Sequence, residues 1–175
     1  MRGTVRGVTH SIYRPPWRID IDVRDGVTVP VARTRLAAAI AAALDAVAAP
    51  SPAAIGLVLS DDRELAALNA AHMGKSGPTD VLSFPLLSEA AFALPPGYRP
   101  HLGDIIVSVE RAVEQAQTGR GGQTGDVRWT AAEELLLLVT HGTLHICGFD
   151  HAEPEEEATM RALENRLLEV GARQP

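Results

Sequence analysis

Three of the six histidines in this chain lie close together, in the stretch HGTLHICGFDH that runs from His141 to His151. His141 and His145 are four positions apart, and two such residues on an α-helix share one face, with Cβ atoms roughly 6 Å apart. Gly148 readily adopts the left-handed conformation that ends helices, so the chain can turn there and bring His151 back toward the pair. The spacing therefore predicts a metal site with His141, His145 and His151 as its ligands.

Three imidazole ligands leave one position of a tetrahedral Zn²⁺ ion open to water, which is the arrangement of catalytic rather than structural zinc sites. We therefore expect one zinc ion per chain and a catalytic water held at the three histidines. Zinc lowers the pKa of such a water toward about 7, which makes it a nucleophile at neutral pH. Three imidazoles also accept Ni²⁺, Co²⁺ or Cu²⁺, so the spacing does not single out zinc.

A peptidase is one alternative, because the metzincin proteases space their histidines in the same way, as H-E-x-x-H-x-x-G-x-x-H. In those proteases the Glu at the second position is the general base. Here the second position is Gly142. Glu133 and Glu134 lie about two helical turns before His141, too far away to replace that base. The peptidase hypothesis therefore lacks its base.

The composition indicates an ordinary globular protein, with 175 residues, 46% of them hydrophobic and 22% charged, which suggests one domain. A net charge of −6 argues against a protein that binds nucleic acid through its overall charge. It does not exclude a local basic groove. The single cysteine excludes an intramolecular disulfide. The first fifteen residues contain no apolar signal region, and no apolar stretch is long enough to span a bilayer. We therefore expect a cytoplasmic protein without a membrane partner.

Hydrophobic patterning predicts about four strands and five helices, and thus an α+β fold (an α/β layer) with a mixed sheet flanked by helices. Residues 1–16 are expected to be a flexible N-terminal segment and residues 17–171 a single domain. Thr130 and Glu133 form a capping-box pattern, which starts a helix that ends near Cys147. That helix is apolar on every side at its centre, so it is expected to be the buried central helix, with the metal site at its C-terminal end. Cys147 is expected to be a core residue.

Three motifs resemble those of the YbeY family of bacterial endoribonucleases and rRNA maturation factors. HGTLHICGFDH is similar to the family signature H-G-x-L-H-x-x-G-[YF]-D-H, GPTDVLSFP (77–85) to its second motif and LGDI (102–105) to its third. The resemblance covers roughly residues 17–171. It implies a single-strand-specific metallo-endoribonuclease that binds one zinc through His141, His145 and His151. It also implies action in 3′-end maturation of 16S rRNA and in late 70S ribosome quality control, with the small subunit and a ribosomal protein or assembly GTPase as partners.

Within this resemblance we expect metal-assisted hydrolysis of a phosphodiester, and further residues are candidates for roles in it. Asp150 is next to His151 and could orient that ligand. Asp80, in the second motif, could orient the water or cap a turn. Three residues in or beside that motif could contact phosphate, although hydroxyls at strand ends more often bond the backbone: Lys75, Thr79 and Ser83.

One position departs from the family pattern. Many members carry Arg before the Gly-Lys pair that precedes the second motif, where this chain has Met73 followed by Gly74 and Lys75. The resemblance implies that this Arg matters for RNA handling, a role that the uncharged Met73 cannot take. Lys75 or Arg63 could supply the charge instead. The alternative is therefore a zinc-binding ribosome-assembly factor with weak or no nuclease activity.

Overall fold

A five-stranded mixed sheet forms the centre of the computed structural model, which describes residues 8–86, 97–118, 129–150 and 153–172. The strands are β1 Val8–Arg14, β2 Trp17–Val23, β3 Ala53–Ser60, β4 Val81–Pro85 and β5 His101–Ser108. Their order across the sheet is β1-β2-β3-β5-β4. β2, β3 and β5 are parallel, while β1 and β4 pair antiparallel at the two edges. The edge position of β4 suits Pro85, because that residue has no N–H to donate to a further strand.

Helices follow or separate these strands, and together they give the α+β fold that the hydrophobic pattern predicts. They are α1 Arg33–Ala46, α2 Asp62–Leu68, α3 Val109–Thr118, α4 Ala131–Ile146 and α5 Pro154–Ala172. A π-helical turn, Asn69–Met73, continues α2. Among the described residues, we find no helix with the length and apolarity needed to cross a bilayer.

The core lies between one face of the sheet and the helices α1 and α4. Alternate residues of the central strands are fully buried on this face, since side chains point to opposite faces in turn. These residues include Ile19 and Ile21 of β2, Ile55, Leu57 and Leu59 of β3, and Ile105 of β5. Leu36 and Ile40 of α1 and Leu135 and Val139 of α4 complete the same cluster. α5 contacts both α1 and α4.

Helix α4 is the buried central helix, as predicted, and its side chains are buried from Glu134 through Thr140. Its start is fixed by a capping box. The Glu133 N–H donates to the Thr130 hydroxyl at 3.2 Å, and the Glu133 carboxylate accepts from the Thr130 N–H at 2.7 Å. Hydrogen bonds from the Thr130 backbone and hydroxyl lower the pKa of Glu133. The capping box is therefore fully formed at neutral pH and weakens in acid, as the pH falls through that lowered pKa.

One detail of the sequence prediction was wrong. Residues 8–14, assigned to a flexible segment, form strand β1, which pairs with β2 from Val8–Val23 to Arg14–Trp17. Nearly every β1 side chain is exposed. The strand is therefore defined by its backbone pairing with β2. It lacks the alternation of buried and exposed side chains from which strands are predicted. The N-cap of α2 is Asp61, whose carboxylate accepts a hydrogen bond from the Glu64 N–H at 2.8 Å.

We predict that replacing Leu135 by Ala lowers the free energy of unfolding by about 2–5 kcal/mol, because the side chain is fully buried in the core and leaves a cavity. Urea denaturation measures this change. Leu86→Ala is the matched control, because Leu86 is 59% exposed and its loss removes little buried surface. Equal effects of the two substitutions would contradict the central position of α4.

Candidate metal centre

Helix α4 brings His141 and His145 together at its C-terminal end, as their spacing predicts. Their Nε2 atoms are 3.0 Å apart, and the ring centroids are 4.5 Å apart with an interplanar angle of 73°. Two imidazole nitrogens that bind one tetrahedral zinc at about 2.0–2.1 Å are themselves about 3.3 Å apart. The separation of the two Nε2 atoms is therefore close to what one shared zinc ion requires.

Glu164 of α5 contacts the other nitrogen of the His141 ring. Its Oε1 lies 2.7 Å from His141 Nδ1, and the residue is only 7% exposed. A carboxylate oxygen accepts hydrogen bonds, so Nδ1 carries the hydrogen and the lone pair of Nε2 faces His145. Sequence reasoning missed Glu164. The feature that could have identified Glu164 is its position four residues after Met160, which places a charged residue on the core-facing side of α5.

Gly142, between the two histidines in the sequence, faces the sheet. A Cβ atom there would lie 2.6 Å from Ile105 Cγ2 and 3.1 Å from Val81 Cγ2, closer than side chains normally approach. The Gly142 carbonyl accepts a hydrogen bond from the Ser83 hydroxyl at 3.0 Å. The position at which metzincin proteases carry their catalytic Glu therefore has no room for a side chain. This gives the absence of a peptidase base a structural reason.

The turn after α4 forms as predicted, but its last histidine is not described. Gly148 has a φ of 88°, in the left-handed region, and its N–H donates to the His145 carbonyl at 3.0 Å. Phe149 packs against Leu144 and Met160. Asp150 is exposed, and His151 lies outside the described residues. The roles of His151 as third ligand and of Asp150 as its orienting partner therefore remain predictions.

Two residues of the second motif, Val81 and Ser83, lie against Gly142 between the histidines. Ser83 contacts α4 at Gly142, as described above. Asp80 accepts hydrogen bonds from the Val81 N–H at 2.8 Å and from Gln115 at 3.1 Å, so its carboxylate joins β4 to α3. Thr79 lies beside Asp80, with a hydroxyl-to-carboxylate distance of 3.5 Å. Lys75 is exposed, just after the π-helical turn.

In the third motif, Asp104 points away from the histidine pair, whereas Ile105 packs against α4 at Gly142. Ile105 faces α4, and its neighbour Asp104 therefore points to the other face of the sheet. There its Oδ1 lies 2.9 Å from His101 Nε2. The Asp104 carboxylate also lies where a side chain on Gly56 would be, so glycine at that position makes room for the Asp104–His101 pair. Asp104 thus has a structural contact and no contact with His141 or His145 among those observed.

Cys147 packs against the hydrophobic core, as expected from its position about 200° around the helix from His145. Burial raises the pKa of its thiol to about 11. Within the described ranges, no group of three or more His, Cys, Asp or Glu side chains is gathered as a metal site. The described part of the predicted metal site is therefore the His141–His145 pair, with Glu164 hydrogen-bonded to His141.

Replacing Gly142 by Ala is expected to destabilise the fold by about 1–3 kcal/mol, because the added methyl group meets Ile105 and Val81 in a packed interface. In an unconstrained helix the same substitution stabilises by about 1 kcal/mol, since Ala is the better helix former. The sign of the change in the free energy of unfolding, measured by heat or urea, therefore shows whether Gly142 is closely packed against the sheet. Stabilisation by Gly142→Ala would show that α4 does not approach the sheet this closely.

Comparisons with known proteins identify the family to which the chain is similar. The family profile described as Endoribonuclease YbeY matches residues 22–171. The Endoribonuclease YbeY of Thermobifida fusca is 37% identical over 155 residues, which cover 86% of this chain and 92% of the relative. That of Roseiflexus sp. is 43% identical over 119 residues, 67% of this chain and 69% of the relative. A Thermotoga maritima protein solved in solution is similar in fold, with a TM-score of 0.50, 24% identity and coverage of 87% and 88% of the two chains.

Proposed function

The chain belongs to the YbeY endoribonuclease family, and on this basis we propose that it is a zinc-dependent endoribonuclease that cleaves single-stranded RNA. The observation that carries the proposal is the convergence of the His141 and His145 Nε2 atoms, 3.0 Å apart, on the last turns of a buried helix. The HGTLHICGFDH sequence around this pair is the stretch that most resembles the family signature.

His141, His145 and His151 are the residues that would hold the zinc. When bound, the ion supplies a Lewis acid that activates a water molecule and polarises a phosphoryl oxygen. The chain's own contribution is to keep the ligands in place. α4 fixes the two helical histidines because it is packed between the sheet and α5, and Gly142 keeps the helix close to the sheet. Asp150, next to His151 in the sequence, is the candidate to orient that third ligand.

Substrate contacts are proposed on the side of β4. Ser83 places a hydroxyl group of the second motif beside the histidines, because it donates a hydrogen bond to the Gly142 carbonyl. Lys75 is exposed on the segment that leads into β4, where its ammonium group can contact a phosphate. Thr79 and Asp80 lie between these two points in the sequence. We assign Thr79 to phosphate contact and Asp80 to holding this segment against α3 through Gln115.

The biological role that we propose is maturation of the 3′ end of 16S rRNA and late quality control of the 70S ribosome in the cytoplasm. It rests on the family resemblance. The partners would be single-stranded rRNA, the small ribosomal subunit, and a ribosomal protein or an assembly GTPase. The net charge of −6 fits a protein that recognises RNA at a local site and does not attract it by overall charge.

The second candidate is a zinc-binding ribosome-assembly factor with weak or no cleavage. Met73 is the observation that favours it. The residue is 47% exposed at the end of the π-helical turn, one position before the Gly74-Lys75 pair, where many family members carry Arg. An exposed thioether cannot form the charge-assisted contact with phosphate that a guanidinium forms.

We expect His145→Ala to lose both bound zinc and cleavage of a single-stranded RNA, because one of the two converging Nε2 atoms is removed. Metal analysis of the purified protein and a gel assay measure the two properties on one preparation. His10→Ala is the matched control, because His10 is exposed on the edge strand β1. If wild type holds zinc but never cuts RNA above a mock preparation, the assembly-factor candidate replaces the nuclease.

Met73→Arg is expected to raise RNA cleavage about tenfold at low substrate concentration, since one charge-assisted hydrogen bond to phosphate contributes about 1.5–3 kcal/mol. Met73→Gln is the control of similar length without charge. The initial rate on a single-stranded RNA and binding to small ribosomal subunits are measured together. Appearance of cleavage only in Met73→Arg, with unchanged ribosome binding, would support the assembly-factor candidate for the natural chain.

A further inference from the structure

We propose that Glu164 is the positioning residue of the metal centre and acts on zinc through the His141 ring. The inference rests on the proposed function, because it concerns the same histidine pair. It adds a residue from α5, twenty-three positions after His141, to a site otherwise drawn from the α4 sequence motif. Glu164 contacts Nδ1 and not Nε2, so its effect on a bound ion is exerted through the imidazole.

The burial of Glu164 indicates that its carboxylate has a specific task. Its side chain is 10% exposed, and the neighbouring core-facing positions of α5 are apolar: Met160, Leu163 and Leu167. Transferring a carboxylate into such surroundings is costly unless it is paired or hydrogen-bonded. The 2.7 Å contact with His141 Nδ1 supplies such a partner. An apolar residue at this position would continue the α5 core without that cost, so stability of packing does not account for the glutamate.

The contact determines which nitrogen of His141 is available to a metal. A neutral imidazole carries one hydrogen, on either Nδ1 or Nε2, and only the bare nitrogen can bind a cation. By accepting a hydrogen bond from Nδ1, Glu164 keeps that hydrogen away from Nε2. It also fixes the rotation of the ring, so that Nε2 faces His145 Nε2. Carboxylates placed in this way behind metal-binding histidines raise metal affinity 10- to 100-fold, as an order of magnitude.

The same contact joins the two helices on either side of the segment that carries His151. α4 ends at Ile146 and α5 begins at Pro154. The Glu164–His141 pair and the packing of Leu144 against Met160 both hold α5 against α4. Glu164 therefore connects the orientation of His141 to the position of α5, which follows the segment containing His151.

Three variants separate positioning from simple burial. Glu164→Met fills the site with an apolar side chain of similar length and removes the acceptor. Glu164→Gln removes the charge but keeps an oxygen that can accept from Nδ1. Glu169→Gln is the matched control, because Glu169 is exposed on the same helix. Two readouts are needed: the His141 tautomer in metal-free protein at pH 8, from long-range ¹H–¹⁵N NMR, and zinc affinity by chelator competition.

Wild type, Glu164→Gln and Glu169→Gln are expected to show the Nδ1–H tautomer of His141, and Glu164→Met a mixture of both tautomers. Zinc affinity is expected to fall about 10- to 100-fold in Glu164→Met and by less in Glu164→Gln. An unchanged tautomer together with zinc affinity within twofold of wild type in Glu164→Met would overturn the inference. If wild type itself binds no zinc, the proposed function fails, while the tautomer comparison still decides the role of Glu164.

Discussion

The close approach of α4 to the sheet at Gly142 is the constraint on which the site depends. Without a Cβ atom, the helix backbone can lie against Ile105 and Val81, and the Ser83 hydroxyl can reach the Gly142 carbonyl. His141 and His145 then fall on the flank of the helix, where their Nε2 atoms converge. A larger residue at this position would push the helix outward, and both ligands would move with it.

The rest of the fold makes this placement rigid. α4 has a capping box at its start, buried residues through its centre and a left-handed glycine after its end. Interiors packed to this extent hold side chains in single rotamers, which favours a metal site with little freedom to rearrange. α5 adds the buried carboxylate of Glu164, which contacts His141 on the side of the ring away from His145.

The parts predicted correctly from the sequence are those encoded by short-range spacing. The pairing of His141 with His145 follows from helical geometry, and the capping box and buried centre of α4 follow from residue types a few positions apart. Strand β1 was missed because its exposed side chains carry no burial pattern. The contacts of Glu164 with His141 and of Ser83 with Gly142 were missed because they join residues distant in the sequence. The position of His151 remains a prediction.

Family membership and the geometry of the histidine pair support different parts of the account. Membership in the YbeY endoribonuclease family rests on similarity over most of the chain. The proposal of a metal centre rests on two imidazoles whose Nε2 atoms face one another, with a carboxylate hydrogen-bonded to one of the rings. Neither the family assignment nor the proposed metal centre depends on the net charge or on Cys147, which packs in the core.

X-ray absorption at the zinc edge of the purified protein shows whether His141, His145 and His151 bind zinc, because it reports the atoms bound to the metal. We expect nitrogen and oxygen neighbours at about 2.0–2.1 Å from the zinc, with the outer scattering of three imidazoles. A sulfur atom at about 2.3 Å, or a shell with fewer than two imidazoles, would contradict this expectation. In that case the convergence of His141 and His145 would have another cause.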